Sequence, residues 1–192
     1  MKKILIGTHN TGKFKEISFL LSKKITKISP NRLKIKSPKE TGRSFSANAK
    51  LKAKYFSRLT NLPVISDDSG LCIKALNGKP GIYSARWGKK HQSFSNAMKF
   101  ILKKMRKKKN RSAIFVCSLS FKHPAGKTIT VTGKIHGLIS DKIIGSEGFG
   151  YDPIFIPKSK SITFGQMLHL KKIKMDHRYI AFQKLKKKVK TL

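Results

Sequence analysis

Leu62-Pro63-Val64-Ile65-Ser66-Asp67-Asp68-Ser69-Gly70-Leu71 places two carboxylates side by side in a chain that has 44 Lys+Arg against only 8 Asp+Glu. The apolar run Leu62 to Ile65 predicts a short buried strand, with the acidic pair at its end and a glycine able to bend the backbone just beyond. Carboxylates at such an exit are placed to hold a divalent cation or to take a proton from water. The same residues also fit an Asx-type turn with solvated Asp and Ser side chains. The local sequence leaves both readings open.

The 192 residues fit one domain of ordinary size, 1–192, with no independent second domain expected. Cys72 and Cys117 lie far apart without metal-ligand spacing, which suits a reduced intracellular protein. No apolar run approaches the roughly 20 residues needed to span a bilayer, and the segment after Met1-Lys2-Lys3 is too short for a signal peptide. These features predict a cytoplasmic protein. The formal charge of +36 is the composition usual for binders of nucleic acid or anionic membranes. Here the charge is mostly dispersed and mostly lysine, whereas base readout favours arginine. The dense runs are Lys103 to Lys109 and Lys184 to Lys190, read either as solvated helix ends or as anionic contacts. No specific nucleic acid partner is expected.

Upstream, Lys3-Ile4-Leu5-Ile6-Gly7 reads as a strand, Thr8-His9-Asn10-Thr11-Gly12-Lys13 as a polar loop, and Phe14 to Leu21 as a helix. A loop of that kind presents backbone N–H groups and a helix N-terminus to an anion, with Lys13 adding a point charge. It lacks P-loop spacing, and simple N-capping by Thr11 or Asn10 is the alternative. Pro30 and Pro38 break the next segment, which holds one short strand around Leu33-Lys34-Ile35. Ser46 to Leu59 reads as a helix with Ala49, Ala53 and Phe56 on one side, and it carries Lys52.

Downstream, Ile82 to Trp87 reads as a hairpin or loop bearing Arg86, and Phe94 to Met105 as a helix. Ala113 to Phe121 and Lys127 to Gly133 read as strands joined by Pro124-Ala125-Gly126, and Ile154 to Ile156 as another. The stretch Ser146-Glu147-Gly148-Phe149-Gly150-Tyr151-Asp152-Pro153 offers an aromatic pair to stack on a base and a carboxylate to accept a base N–H; a tight aromatic turn is the plainer reading. His177 and Arg178 precede a C-terminal helix carrying Ile180, Phe182, Leu185 and Val189, and can donate to a base carbonyl.

Taken together, Thr8 to Lys13, Ser66 to Leu71, Gly148 to Pro153 and Asp176-His177-Arg178 closely resemble the inosine triphosphate pyrophosphatase family in order and spacing. Glu40-Thr41-Gly42, Asn48-Ala49, Gly81 to Arg86 and Thr163-Phe164-Gly165 match as well, so the resemblance runs nearly end to end. It implies a single elongated α/β domain with a mixed twisted sheet, two lobes flanking a central nucleotide-binding cleft, a homodimer, and Mg²⁺-dependent cleavage of ITP, dITP or XTP to monophosphate and pyrophosphate. The resemblance makes Asp68 the metal ligand and proton acceptor, with Asp67 and Glu40 as possible auxiliary ligands. It puts Thr8, His9, Asn10, Thr11, Gly12, Lys13 and Lys52 on the phosphates and Ser69 on the substrate. Phe149, Gly150, Tyr151, Asp152, Lys172, His177 and Arg178 complete the nucleotide pocket.

That chemistry is coherent in its own terms. Hydrolysis at phosphorus needs a carboxylate to orient water and cations to hold the triphosphate. Donors aimed at O6 reject adenine, whose amino group would leave a buried mismatch costing ~1–3 kcal/mol. Three positions that the family usually fills with acids are Lys39, Ala47 and Lys171 here. The rival readings are a basic nucleic-acid binder that has lost catalysis, and a related pyrophosphatase of modified pyrimidine triphosphates.

Overall fold

The computed structural model describes residues 2–192. In chain order its regular elements are β1 (Lys3–Ile6), α1 (Thr11–Leu20), β2 (Thr26–Ile28), α2 (Phe45–Thr60), β3 (Val64–Ile73), α3 (Ser84–Lys90), α4 (Phe94–Met105), β4 (Ser112–Lys122), β5 (Thr128–Ile139), β6 (Phe155–Pro157), α5 (His169–Lys172) and α6 (His177–Lys188). The strands form one mixed sheet in the order β2-β1-β3-β4-β5-β6, parallel where β1 meets β2 and β3 and antiparallel between β5 and β6. The fold is therefore α/β with a six-stranded sheet. The backbone divides into two compact units, the first made of residues up to Asp68, Cys117–Gly133 and Arg178–Leu192, the second of Ser69–Val116 and Lys134–His177.

In the first unit the alternation of side chains along β3 decides what packs where. Ile65 joins a core with Ile17 of α1 and Ala181, Phe182 and Leu185 of α6. Val64, one residue away and so on the other face, packs with Ala53 and Phe56 of α2. The helix α2 starts where Ser44 accepts a hydrogen bond from the Ala47 N–H at 3.1 Å and stops at Asn61, whose φ of 51° is left-handed. Hydroxyl pairs Ser118–Thr132 (2.8 Å) and Ser120–Thr130 (2.7 Å) tie β4 to β5. The second unit packs Leu71 and Ile73 of β3 with Ala97, Met98, Ile101 and Met105 of α4 and with Phe115, Phe155 and Phe164.

Two expectations from sequence change. The strand expected around Leu33 to Ile35 is absent: the backbone makes a tight 3-10 turn over Asn31–Leu33, closed by Lys34 with a left-handed φ of 55°. The strand of that region is Thr26–Ile28, whose single apolar residue gave no alternation to read. Ile82 to Trp87 forms no hairpin; it is a 3-10 turn at Gly81–Tyr83 running into α3.

The third change concerns the acidic pair. The strand does not end there: β3 runs on through Asp67-Asp68-Ser69-Gly70 to Ile73, buried along nearly its whole length. Gly70 does not bend the chain but admits a neighbour, since a Cβ at this position would meet the Gly81 carbonyl oxygen and the Ser84 side chain. The Ser84 hydroxyl there donates to the Gly81 carbonyl at 2.7 Å and accepts from the Leu71 N–H at 3.0 Å. Gly70→Ala is expected to lower stability by about 1–3 kcal/mol through overpacking, read as a lower urea midpoint with an unchanged slope.

Candidate active site

In the first unit, β1 delivers the chain into the Gly7–Asn10 loop. Asn10 caps α1, accepting the Lys13 N–H at 2.9 Å, and its own N–H donates to the Thr8 hydroxyl at 3.2 Å. The capping role foreseen for Asn10 is thus real, and it leaves the loop's backbone donors arranged at a helix N-terminus. His9 is fixed on the outside. Its Nε2 donates to the Ile35 carbonyl at 2.9 Å, because a carbonyl can only accept, and in the neutral ring Nδ1 then accepts from the Ser37 hydroxyl at 2.7 Å.

Asp67 and Asp68 are both buried, and successive residues of a strand face opposite ways, so they meet different partners. Asp67 lies on the α1–α6 side. Its Oδ2 is 3.0 Å from the Lys13 ammonium and 3.6 Å from Nη2 of Arg178, whose Nη1 is paired with the buried Glu16. Burial pushes the Asp67 carboxyl up, but Lys13, Arg178 and Lys52 outweigh it and hold the group well below the usual carboxylate range. Asp67 is accordingly the counter-ion of two cations. That engagement makes it a poor auxiliary metal ligand.

Asp68 lies on the α2 side. Its Oδ2 accepts from the Asn48 amide at 3.0 Å, while the Asn48 amide oxygen accepts the Gly42 N–H at 2.8 Å. Asn48 and Lys52 are four residues apart and project from one face of α2; Lys52 donates to Glu40 at 2.7 Å. Burial, against the pull of Lys52, Lys13 and the Asn48 hydrogen bond, pushes the Asp68 carboxyl up to about 6, with Glu40 adding to the rise. Lys52 is lowered by burial but raised above its ordinary value by Asp67, Asp68 and Glu40 together.

A hard cation would find few carboxylates here. Among the described residues no group of three or more His, Cys, Asp or Glu is arranged to hold a metal unaided. Lys39, Ala47 and Lys171, where the resemblance would lead one to expect acids, are all exposed. Asp68, however, carries negative charge matched directly only by a neutral amide, and Glu40 is half-buried nearby in its electrostatic reach. One or two carboxylates completed by phosphate oxygens and water suit Mg²⁺, so the residues fit a metal that arrives with its substrate.

The second unit holds a separate constellation. The Lys172 ammonium is 2.8 Å from Asp152 Oδ2, 3.7 Å from Asp176, and lies 5.0 Å and 5.7 Å from the ring centroids of Phe149 and Phe164. Asp152 Oδ2 also accepts the Phe149 N–H at 2.8 Å, and Gly148 must be glycine there because φ is 74° and a Cβ would meet that carboxylate. His177 is buried with its ring stacked nearly parallel on Phe115, centroids 4.8 Å apart. Ser69 follows Asp68 on β3, half-buried, and Gly150 sits in the same loop with a left-handed φ of 68°.

Tyr151 has a packing role as well. It is buried in the second unit's core, edge-on to Phe94, with its hydroxyl donating to the Ser84 carbonyl at 2.9 Å, and burial pushes its phenol up. It anchors the loop. His177 and Arg178, adjacent in sequence, fall in different units, Arg178 with Glu16 and Asp67. Two site residues were not foreseen in their roles: Glu16, whose only signal was its rarity as an acid on an apolar helix, and Asn48, a polar residue on the Ala49–Ala53 face. Removing one partner of a buried ion pair strands the other, so Glu16→Ala is expected to cost about 3–5 kcal/mol in chemical denaturation.

The model of the Ham1 family matches residues 4–188. A dITP/XTP pyrophosphatase of Oceanobacillus iheyensis is 42% identical over the whole of both chains, and one of Caulobacter vibrioides 40% identical over 96% of each. Among solved structures, the Ham1 protein of Staphylococcus aureus superposes with a TM-score of 0.88 at 34% identity over 98% of both chains. A HAM1 protein of Coxiella burnetii does so with a TM-score of 0.89 at 30% identity over the full length of each. With the sheet, the loop and both constellations in place, the chain belongs to the Ham1 family.

Proposed function

We propose that this chain hydrolyses purine nucleoside triphosphates with a 6-oxo base (dITP, ITP and XTP) to the monophosphate and pyrophosphate, with Mg²⁺ as cofactor. The observation that carries the reading is Asp68: a buried carboxyl with its pKa near 6, beside a helix-capping loop and under the charges of Lys13 and Lys52. A base poised near neutrality is what proton abstraction from water requires. A triphosphate's charge calls for the lysines and the loop donors.

In this reading Thr8 to Lys13 and Lys52 hold the phosphates, and Asp68 orients a water and takes its proton as the water oxygen bonds to phosphorus. The bridging oxygen between the α- and β-phosphorus leaves with the pyrophosphate. When bound, Mg²⁺ supplies charge neutralisation on the phosphate oxygens, with Asp68 and Glu40 as its protein ligands. Arg178 and Glu16 brace Asp67, and through it Lys13. Ser69 contacts the substrate, and Phe149 with Gly150 receives the base. Asp152, held by Lys172, accepts a base N–H, and a 6-amino group facing the donors of His177 and Arg178 finds no acceptor. Tyr151 supports the loop from behind.

The proposal extends to one functional domain over residues 1–192, acting as a homodimer in the cytoplasm. Support for the compartment comes from two free cysteines. No helix among the described residues is long and apolar enough to cross a membrane, and no membrane partner is proposed.

The test is pyrophosphate release from ITP, XTP, GTP and ATP across a Mg²⁺ series. Expected is turnover of ITP and XTP well above ATP, and none without the metal; equal turnover of all four, or none of ITP, overturns the reading. Asp68→Asn is expected to lower kcat by about 10²–10⁴-fold, the range for loss of a positioned base. The same variant should not lose stability in metal-free buffer. A carboxyl whose folded pKa is about 6 lies above its unfolded value near 3.9, so wild-type stability from this group is present at low pH and is lost as pH rises through about 6. Asp68→Asn should therefore raise the urea midpoint at neutral pH by roughly 1–3 kcal/mol equivalent, a gain that fades as pH falls toward about 4.

A further inference from the structure

No Asp or Glu occurs between Asp68 and Asp141, and the second unit's helices α3 and α4 fall inside that interval. Arg86, Lys89, Lys90, Lys99, Lys103, Lys104 and the Arg106 to Lys109 run are all exposed. Amid them lies an aromatic cluster outside the proposed reaction, its Trp87 packed on one side against the second unit's core. His91 stacks on Phe100 at 4.5 Å, Trp87 meets Phe100 edge-on at 5.5 Å, and the Lys104 ammonium lies 5.5 Å from the Phe100 centroid. Arg86 sits over the ring of Tyr83, which is 48% exposed. All three rings of the cluster are half-buried, and Phe100 belongs to none of the three apolar cores.

We propose that this α3–α4 surface binds single-stranded nucleic acid without sequence preference, its lysines along the phosphates and its rings under the bases. The two ingredients of such sites are a cationic track and aromatic platforms, because every base has a face to stack and every nucleotide a phosphate to pair. Duplex ends its match at the track, since paired bases hide their faces. An anionic membrane would need apolar side chains projecting beyond the lysines, and of the large exposed apolar residues only Tyr83 lies on this surface. The lysine run of α6 has charge of the same sign and serves as the comparison surface. The surface draws on none of the residues placed in the active site, so it adds a second binding activity to the chain.

Trp87 is the sole tryptophan, so the protein's tryptophan fluorescence arises within this cluster. The full-length protein is titrated with an oligothymidylate of about 20 nucleotides between about 50 and 300 mM salt. Expected is quenching of Trp87 and an affinity falling with salt at about 0.7 in log–log slope per phosphate engaged. Lys103→Gln with Lys104→Gln and Lys107→Gln should flatten the slope by about 2 and weaken binding about tenfold near physiological salt. Phe100→Ala should weaken binding about fivefold or more with the slope unchanged. Lys186→Gln with Lys187→Gln and Lys188→Gln should change neither quenching nor affinity by more than about twofold. No quenching, an undiminished slope in the α4 variant, loss of binding in the α6 variant instead, or equal quenching by phosphatidylserine vesicles or inorganic polyphosphate would overturn the proposal.

Discussion

A carboxylate withdrawn from water must be matched by positive charge or by hydrogen-bond donors, and β3 withdraws two in succession. Because a strand turns consecutive side chains to opposite faces, the two cannot share one solution. Asp67 drops onto the face built by α1 and α6, where Lys13, Arg178 and Glu16 form a chain of alternating charge. Asp68 drops onto the face built by α2, where a neutral amide and a more distant ammonium leave its charge only partly answered. The depressed and the raised carboxyl thus follow from strand geometry acting on different neighbours. The first unit's packing of helices on the sheet is what sets those neighbours.

The second unit solves the same problem with the signs reversed. One buried ammonium, Lys172, is shared by Asp152 and Asp176 and faced by two rings, so a single cation organises the Gly148–Asp152 loop, α5 and the start of α6. The loop's glycines serve that arrangement: at Gly148 the space a side chain would fill is taken by the Asp152 carboxylate.

Much of this was legible in the sequence because it is local. The helices over Ser46 to Leu59 and Phe94 to Met105, the β4–β5 pair and the capping loop are written in apolar period, cap residues and a Pro-Ala-Gly turn, all of which act over a few residues. What misled was also local. Asp-Asp-Ser-Gly has turn chemistry on its face, and only contacts from Ser84 and Gly81 make Gly70 a packing residue inside a strand. Glu16 and Arg178 are 162 positions apart, and nothing in either neighbourhood names the other. The partner of the Tyr151 hydroxyl, the Ser84 carbonyl, is hidden for the same reason, being 67 residues away.

The lysine bias of the chain sharpens the case for which cations matter. Among the described residues only Lys52 and Lys172 of the lysines are buried, each against carboxylates, and the half-buried Lys13 pairs with Asp67, while most of the rest are exposed, where a charge costs little and gains little. In such a composition a retained arginine is informative where its geometry is used. Arg178 spans Glu16 with one terminal nitrogen and approaches Asp67 with the other. A planar fork can divide its donors between two carboxylates in this way, whereas an ammonium is a single point and would have to favour one. The loss would not stop at the pair, because Asp67 shares its remaining charge with Lys13, whose backbone N–H also closes the cap of α1. The guanidinium therefore sets, two contacts away, where the Thr8 to Lys13 loop presents its cation.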